Sequence, residues 1–194
     1  MASRTAVAAR SSPLSRRGGS GIWTRCLAEQ RVVAVSAAPN HSLAITADGA
    51  VWSWGVGDDG QLGHGDQQNQ LLPKKVEALV GQRVVAVSAG TAVSLAITAD
   101  GAVWSWGYGH QGRLGHGNQQ HQLLPKKIEA FAGRRVVAVS ADCQSLALTA
   151  DGAVWTGAME AKASWATATS STSCCRRRSR PWLGARASSL CRLG

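Results

Sequence analysis

From Arg31 to Thr156 the chain alternates short apolar runs of strand length with clusters of glycine, aspartate and asparagine. Residues 31–36 (Arg-Val-Val-Ala-Val-Ser) form a β-branched run that predicts a first strand. A polar link through Pro39 and Asn40 leads to residues 42–46 and 50–54, which flank Ala47-Asp48-Gly49. Glycine at the third position of such a loop supplies the positive φ of a three-residue hairpin turn, so the flanking runs read as an antiparallel pair. A glycine-dense loop covers residues 55–65. Residues 73–79 (Pro-Lys-Lys-Val-Glu-Ala-Leu) then alternate enough to predict a fourth, more exposed strand opening on Pro73, where an edge position tolerates the missing N–H. No segment sustains a helical period, and the expected class is all-β.

The pattern returns almost letter for letter after 52 residues. Residues 31–82 form a first repeat, 83–134 a second, and 135–156 a partial third that is one residue shorter between Ser140 and Ser145. Four short strands in each period is the content of one propeller blade. The second and third runs are apolar on both faces, with Leu43 and Ile45 opposed to Ala44, and Trp52 and Trp54 to Val51. A sheet covered on both sides by its neighbours requires that pattern. The expected architecture is an incomplete β-propeller of four-stranded blades, with a disordered lead over residues 1–30 and a disordered tail over 157–194. Because each blade buries its faces on the next, the terminal blades are expected to expose apolar surface, marking the chain as a piece of a larger protein.

Charge refines this picture once it is divided along the chain. The net +10 arises as +4 from residues 1–30, zero from 31–156 (nine basic against nine acidic residues) and +6 from 157–194. A neutral repeat region argues against nucleic acid as its partner. Residues 1–28, basic and rich in serine and alanine, have the composition of an organellar transit peptide; a misplaced start is the preferred reading, and the expected location is the cytoplasm or nucleus. Among five cysteines only Cys143 lies in the repeats, so no disulfide framework or zinc-ligand spacing is present. No apolar run reaches the roughly 18 residues of a membrane span.

The tail has a different explanation from a functional basic segment. Joining the last base of each codon to the first two of the next allows residues 158–184 to encode GYGGEGQLGHGDQQHQLLPKKVEALAG, nearly the second repeat from Gly107 to Gly133. One base lost near codon 157 accounts for the tail, and its Arg176-Arg177-Arg178 cluster is then an accident of frame.

Residues 35–55, Val-Ser-Ala-x-x-x-His-Ser-Leu-Ala-Ile-Thr-Ala-Asp-Gly-Ala-Val-Trp-Ser-Trp-Gly, followed by Gly60-Gln61-Leu62-Gly63-His64-Gly65, resemble the repeat of the regulator of chromosome condensation family. The resemblance covers residues 31–156, about two and a half copies, and implies a propeller usually closed by seven blades. His41 is replaced by Val93 and Gln144 in the later copies, and the copies are too few to close a ring. Kelch propellers have a similar period but need a Gly-Gly doublet in each repeat, and the one doublet here, Gly18-Gly19, lies outside.

Residues 55–60 and 107–112 both fit G-x-G-x-x-G, yet neither opens a helix that would hold a pyrophosphate, so they read as structural loops and no cofactor is expected. His64 and His116 recur once per copy without further ligands, which points to loop hydrogen bonding rather than metal. The tryptophans 52, 54, 104, 106 and 155 keep repeat register and belong to blade cores, with indole N–H groups that need partners. Asp48, Asp100 and Asp151 are turn residues, and no catalytic constellation stands apart from the repeat. The expected function is a non-catalytic protein-interaction scaffold. Its partner-binding loops are expected at Asn40, His41, Asp58, Asp59, His110 and Gln111. By resemblance, the alternatives are part of a guanine-nucleotide exchange factor for a Ran-like small GTPase, or the substrate-recruiting segment of a HECT-type ubiquitin ligase. The expected partner is accordingly a protein, such as a small GTPase or a ubiquitination substrate.

Overall fold

A computed structural model describes residues 27, 30–157 and 165–167. Most of the disordered lead and most of the frame-shifted tail expected above lie outside the described residues. Among the described residues, twelve strands form three antiparallel sheets in simple meander order. The first blade holds β1 (Val32–Ala37), β2 (His41–Thr46), β3 (Val51–Gly55) and β4 (Gln70–Lys75). The second holds β5 (Val84–Ala89), β6 (Val93–Thr98), β7 (Val103–Gly107) and β8 (Gln122–Lys127), and the third β9 (Val136–Ala141), β10 (Ser145–Thr149), β11 (Val154–Gly157) and β12 (Trp165–Thr167).

The β2–β3 hairpin forms as its sequence dictates. Gly49 has φ 85°, its N–H reaches Thr46 O at 2.8 Å, and Asp48 Oδ1 accepts from Thr46 Oγ1 and from Ala50 N. The same turn recurs at Asp100-Gly101 and Asp151-Gly152. These hydrogen bonds, the threonine hydroxyl first and the backbone N–H second, hold all three carboxyls below their ordinary range.

The fourth strand departs from expectation in its bounds. It opens three residues before Pro73 and ends at Lys75, and Glu77–Leu79 coil into a turn of 3-10 helix. The reason is burial: Val76 donates to Val51 O at 2.9 Å, and the turn then swings Leu79 under the sheet, where both side chains are buried. Pro73 sits within an edge strand, at a break in the β3–β4 register between Ser53 and Gly55, so no ladder bond is lost. The third blade also extends beyond Thr156. Trp165 to Thr167 pair with Gly157 to Trp155, because the free edge of β11 offers backbone donors and acceptors that any extended segment can meet.

The core lies between the sheets. Leu43, Ile45, Val51, Val76 and Leu79 of the first blade pack on Val84, Ala89, Ala96 and Trp106 of the second. One repeat on, Ile97, Val103, Ile128 and Phe131 pack on Val136 and Ala147. Each blade thus has a leading face, turned to the preceding blade, and a trailing face, turned to the next. Where no described blade follows or precedes, the equivalent positions are open: Leu146, Leu148 and Val154 on the third blade, Val32 and Val35 on the first.

Candidate functional site

The β1–β2 link and the start of the β3–β4 loop lie at the same end of each sheet, because His41 pairs with Gly55 and Val93 with Gly107. Val56 N–H donates to Asn40 O (2.8 Å) and Tyr108 N–H to Ala92 O (2.9 Å), tying link to loop. The long loops are closely packed on themselves. A Cβ on Gly57 or Gly109 would run into the carbonyl of Gln68 or Gln120, which explains the glycines of both G-x-G-x-x-G stretches by packing. The only helical turn there is the three-residue His110–Gly112, too short to present a helix N-terminus.

Each histidine of the Leu-Gly-His-Gly phrase closes its own loop. Ser53 Oγ donates its one proton to Leu62 O at 2.7 Å, so at 3.0 Å from His64 Nε2 the hydroxyl accepts and the imidazole carries hydrogen on Nε2. Ser105, Leu114 and His116 repeat this at 2.8 and 2.9 Å. Burial, then the neighbouring lysine charge, lowers both imidazole pKa values and keeps them neutral. Among the described residues no three of His, Cys, Asp or Glu gather as a metal-binding group.

The sequence-predicted loop residues divide. Asn40, Asp58, His110 and Gln111 are exposed and Asp59 is half-buried, all at this loop end. His41 is the first residue of β2 and is 2% exposed, sealed between the first two blades. Its Nε2 meets Ser94 Oγ at 2.8 Å, and Ser94 donates to Gln61 O at 2.7 Å, which also accepts the Trp106 indole N–H at 2.8 Å. Burial lowers the His41 pKa to about 4. It is therefore an internal fastener. Of the other indoles, Trp155 reaches Thr149 Oγ1 at 3.3 Å, whereas Trp52 and Trp104 bury Nε1 without an acceptor.

Sequence reasoning missed a cluster around His110. The rings of Tyr108, His110 and His121 lie with centroids 4.9 to 5.1 Å apart, and the Arg113 guanidinium stands 5.5 Å from the Tyr108 ring. Arg113 also donates to Gln111 Oε1 at 2.8 Å, and Gln111 is the only non-glycine residue with positive φ (61°) among those described. The signal was available: the first copy has Val56, Asp58, Gln61 and Asn69 at these four positions. Aromatic rings beside arginine are what protein interfaces concentrate.

The sequence signature of the Regulator of chromosome condensation (RCC1) repeat matches residues 48–97 and 100–146, and a second signature of the same repeat matches 32–61 and 84–113. The chain belongs to the RCC1 repeat family. Its three sheets are blades of that family's propeller. Human WBSCR16 superposes with a TM-score of 0.62 at 29% identity, over 67% of this chain and 33% of that one. Prp20p of Saccharomyces cerevisiae, described with its binding to Gsp1p and histones, superposes with a TM-score of 0.56 at 26% identity, over 66% and 32%. In sequence, the human E3 ubiquitin-protein ligase HERC2 is 46% identical over 126 residues, 63% of this chain but 3% of that protein. The chain thus spans a small part of the relatives it matches. Each 48–97 type unit runs from the hairpin of one blade to the second strand of the next, so the sequence repeat straddles a blade boundary. Among the described residues no helix is long and apolar enough to cross a membrane.

Proposed function

We propose that these blades are a non-catalytic interaction scaffold within a larger RCC1-repeat protein of the cytoplasm or nucleus, engaging a protein partner through the loop end. One observation carries the reading. Strands and turns of the two complete copies are nearly identical, whereas the loop end changes from Val56, Asp58, Asp59, Gln61 and Asn69 to Tyr108, His110, Gln111, Arg113 and His121. Variation on a rigid frame is how scaffolds present a specific surface. Partner residues on this reading are Asn40, Asp58, Asp59, His110 and Gln111, joined by Tyr108 and Arg113.

The likeness to HERC2 supports a recruiting segment of a ubiquitin ligase, and that to Prp20p supports a module contacting a Ran-like GTPase. A single comparison separates them: nucleotide release from such a GTPase, and capture of candidate substrates of the ligase, each measured with the chain and with its Tyr108→Ala/Arg113→Ala variant. Loss of capture in the variant supports the scaffold. Accelerated nucleotide release would instead favour the exchange factor. Equal capture by both forms would overturn the assignment of the site.

A further inference from the structure

We infer that the hairpin end of the first seam, opposite the partner-binding loops, holds a pocket for a monocarboxylate carried on a short apolar stem. A cavity of about 310 Å³ lies there between the Asp48 turn, the end of β4 and the link from Leu79 to Arg83. Both blades that form it are complete. Its floor is apolar: Val51, Val76 and Leu79 line it and are at most 2% exposed. Its charged lining is Lys75, Arg83 and Asp48. The Arg83 stem crosses the turn of the preceding blade, since a Cβ on Gly49 would lie 3.1 Å from Arg83 Cα and Cγ. The Asp48 carboxylate accepts from Thr46 Oγ1 and Ala50 N, and the one ion pair among the described residues is Arg134 with Asp151 at 4.0 Å. Neither Lys75 nor Arg83 is therefore held in an ion pair.

Charge and surface together select the occupant. Two cations against one carboxylate leave the lining with one positive charge, which a single carboxylate balances. A phosphate dianion would exceed it and be repelled by Asp48. The floor favours an apolar stem behind the charged group. Backbone donors are available as well: the N–H groups of Gly81 and Arg83 meet no acceptor among the described residues, and the space over Gly81 is open, with nothing within 4 Å of a Cβ built there. Such donors, with lysine and arginine, make charge-assisted hydrogen bonds to a carboxylate. The second seam uses the same positions internally. Phe131 replaces Leu79 and packs on the Trp155 ring at 5.8 Å, and Arg134 replaces Gln82, stands 4.8 Å over that ring and pairs with Asp151. The first seam has smaller Leu79 and uncharged Gln82 there, so its cations remain available to a ligand.

This inference is independent of the loop-end reading, because the pocket lies at the other end of the sheets. It is tested by titrating the full 194-residue chain with butyrate, with inorganic phosphate and with the peptide acetyl-Ala-Glu-Ala-amide, following the amide resonances of Gly81 and Arg83. Butyrate and the peptide are expected to shift both resonances with a Kd of about 1 mM, within reach of so few ligand atoms, and phosphate to bind at least about tenfold more weakly. Tighter binding of the peptide identifies a glutamate side chain of a protein partner as the source of the carboxylate, and tighter binding of butyrate a free acid; both uphold the pocket. Arg83→Gln and Lys75→Gln are each expected to weaken binding about tenfold with an unchanged circular dichroism spectrum. Arg135→Gln, one blade away, is expected to leave it unchanged. Phosphate bound as tightly as butyrate, no shift with either carboxylate, wild-type affinity in the Arg83 and Lys75 variants, or an equal loss in Arg135→Gln would each overturn the inference.

Discussion

His41 Nε2 lies 2.8 Å from Ser94 Oγ across the seam between the first two blades, and the serine relays the contact to Gln61 O. In the second seam valine and serine, Val93 and Ser145, take these positions, and Ser145 Oγ is buried without a partner. The same substitution should therefore act oppositely at the two sites. Ser94→Ala leaves a buried imidazole donor unmet and should cost about 1 to 3 kcal/mol, whereas Ser145→Ala removes an unmet hydroxyl and should be neutral or slightly stabilising. Urea unfolding of the two variants checks this, and equal losses would contradict it.

Acid should loosen the first seam before the carboxylates are reached. His41 is neutral in the fold with its pKa lowered to about 4, against an ordinary 6.5. The unfolded chain binds the extra proton between these values, so stability falls as pH drops from about 6.5 to about 4, by about 3 kcal/mol for this group. His64 and His116, also lowered, act in the same direction. Unfolding midpoints measured across that window should slope steeply in the wild type and less so in His41→Gln, with no change of slope sinking the assignment.

The hairpin glycines separate backbone conformation from blade contact. Gly101 and Gly152 have φ of 83° and 85°, but a Cβ on Gly101 would press Arg135 Cγ at 2.7 Å while none lies within 4 Å at Gly152. Gly152→Ala should cost about 1 kcal/mol for the left-handed conformation alone. Gly101→Ala should cost more, because the seam must also shift. Thermal unfolding of the pair reads the difference directly.

Position 157 carries the reading-frame proposal. It is glycine where the first two copies have Trp54 and Trp106, and in the second blade that indole meets the carbonyl of Gln61 together with Ser94. One base restored in codon 156 turns Thr-Gly-Ala-Met into Ser-Trp-Gly-Tyr, the phrase at residues 105–108. Sequencing the transcript across codons 150–195 should find that base. If the printed frame stands, the tail is native, and the frame explanation is abandoned.

The propeller was legible because the repeat states its strands twice, and the Asp-Gly turns fixed the hairpins. The edge of each blade was less so. Pro73 looked like a beginning, but the strand ends where Val76 and Leu79 turn inward to a core made with the next blade, and that demand is invisible within one copy. His41 read as a loop residue for a similar reason: its partner is 53 positions away. The Tyr108 cluster was hidden for the opposite reason, since attention to what the copies share passes over what distinguishes them.

The seam hydrogen bonds, such as Ser36 with Ala89 and Ser94 with Gln61, each link a copy to its neighbour, and among the described residues none reaches past it. Such an array behaves like a line of coupled spins rather than a single two-state body. Damage to the first seam should leave hydrogen-exchange protection in β9 and β10 almost untouched.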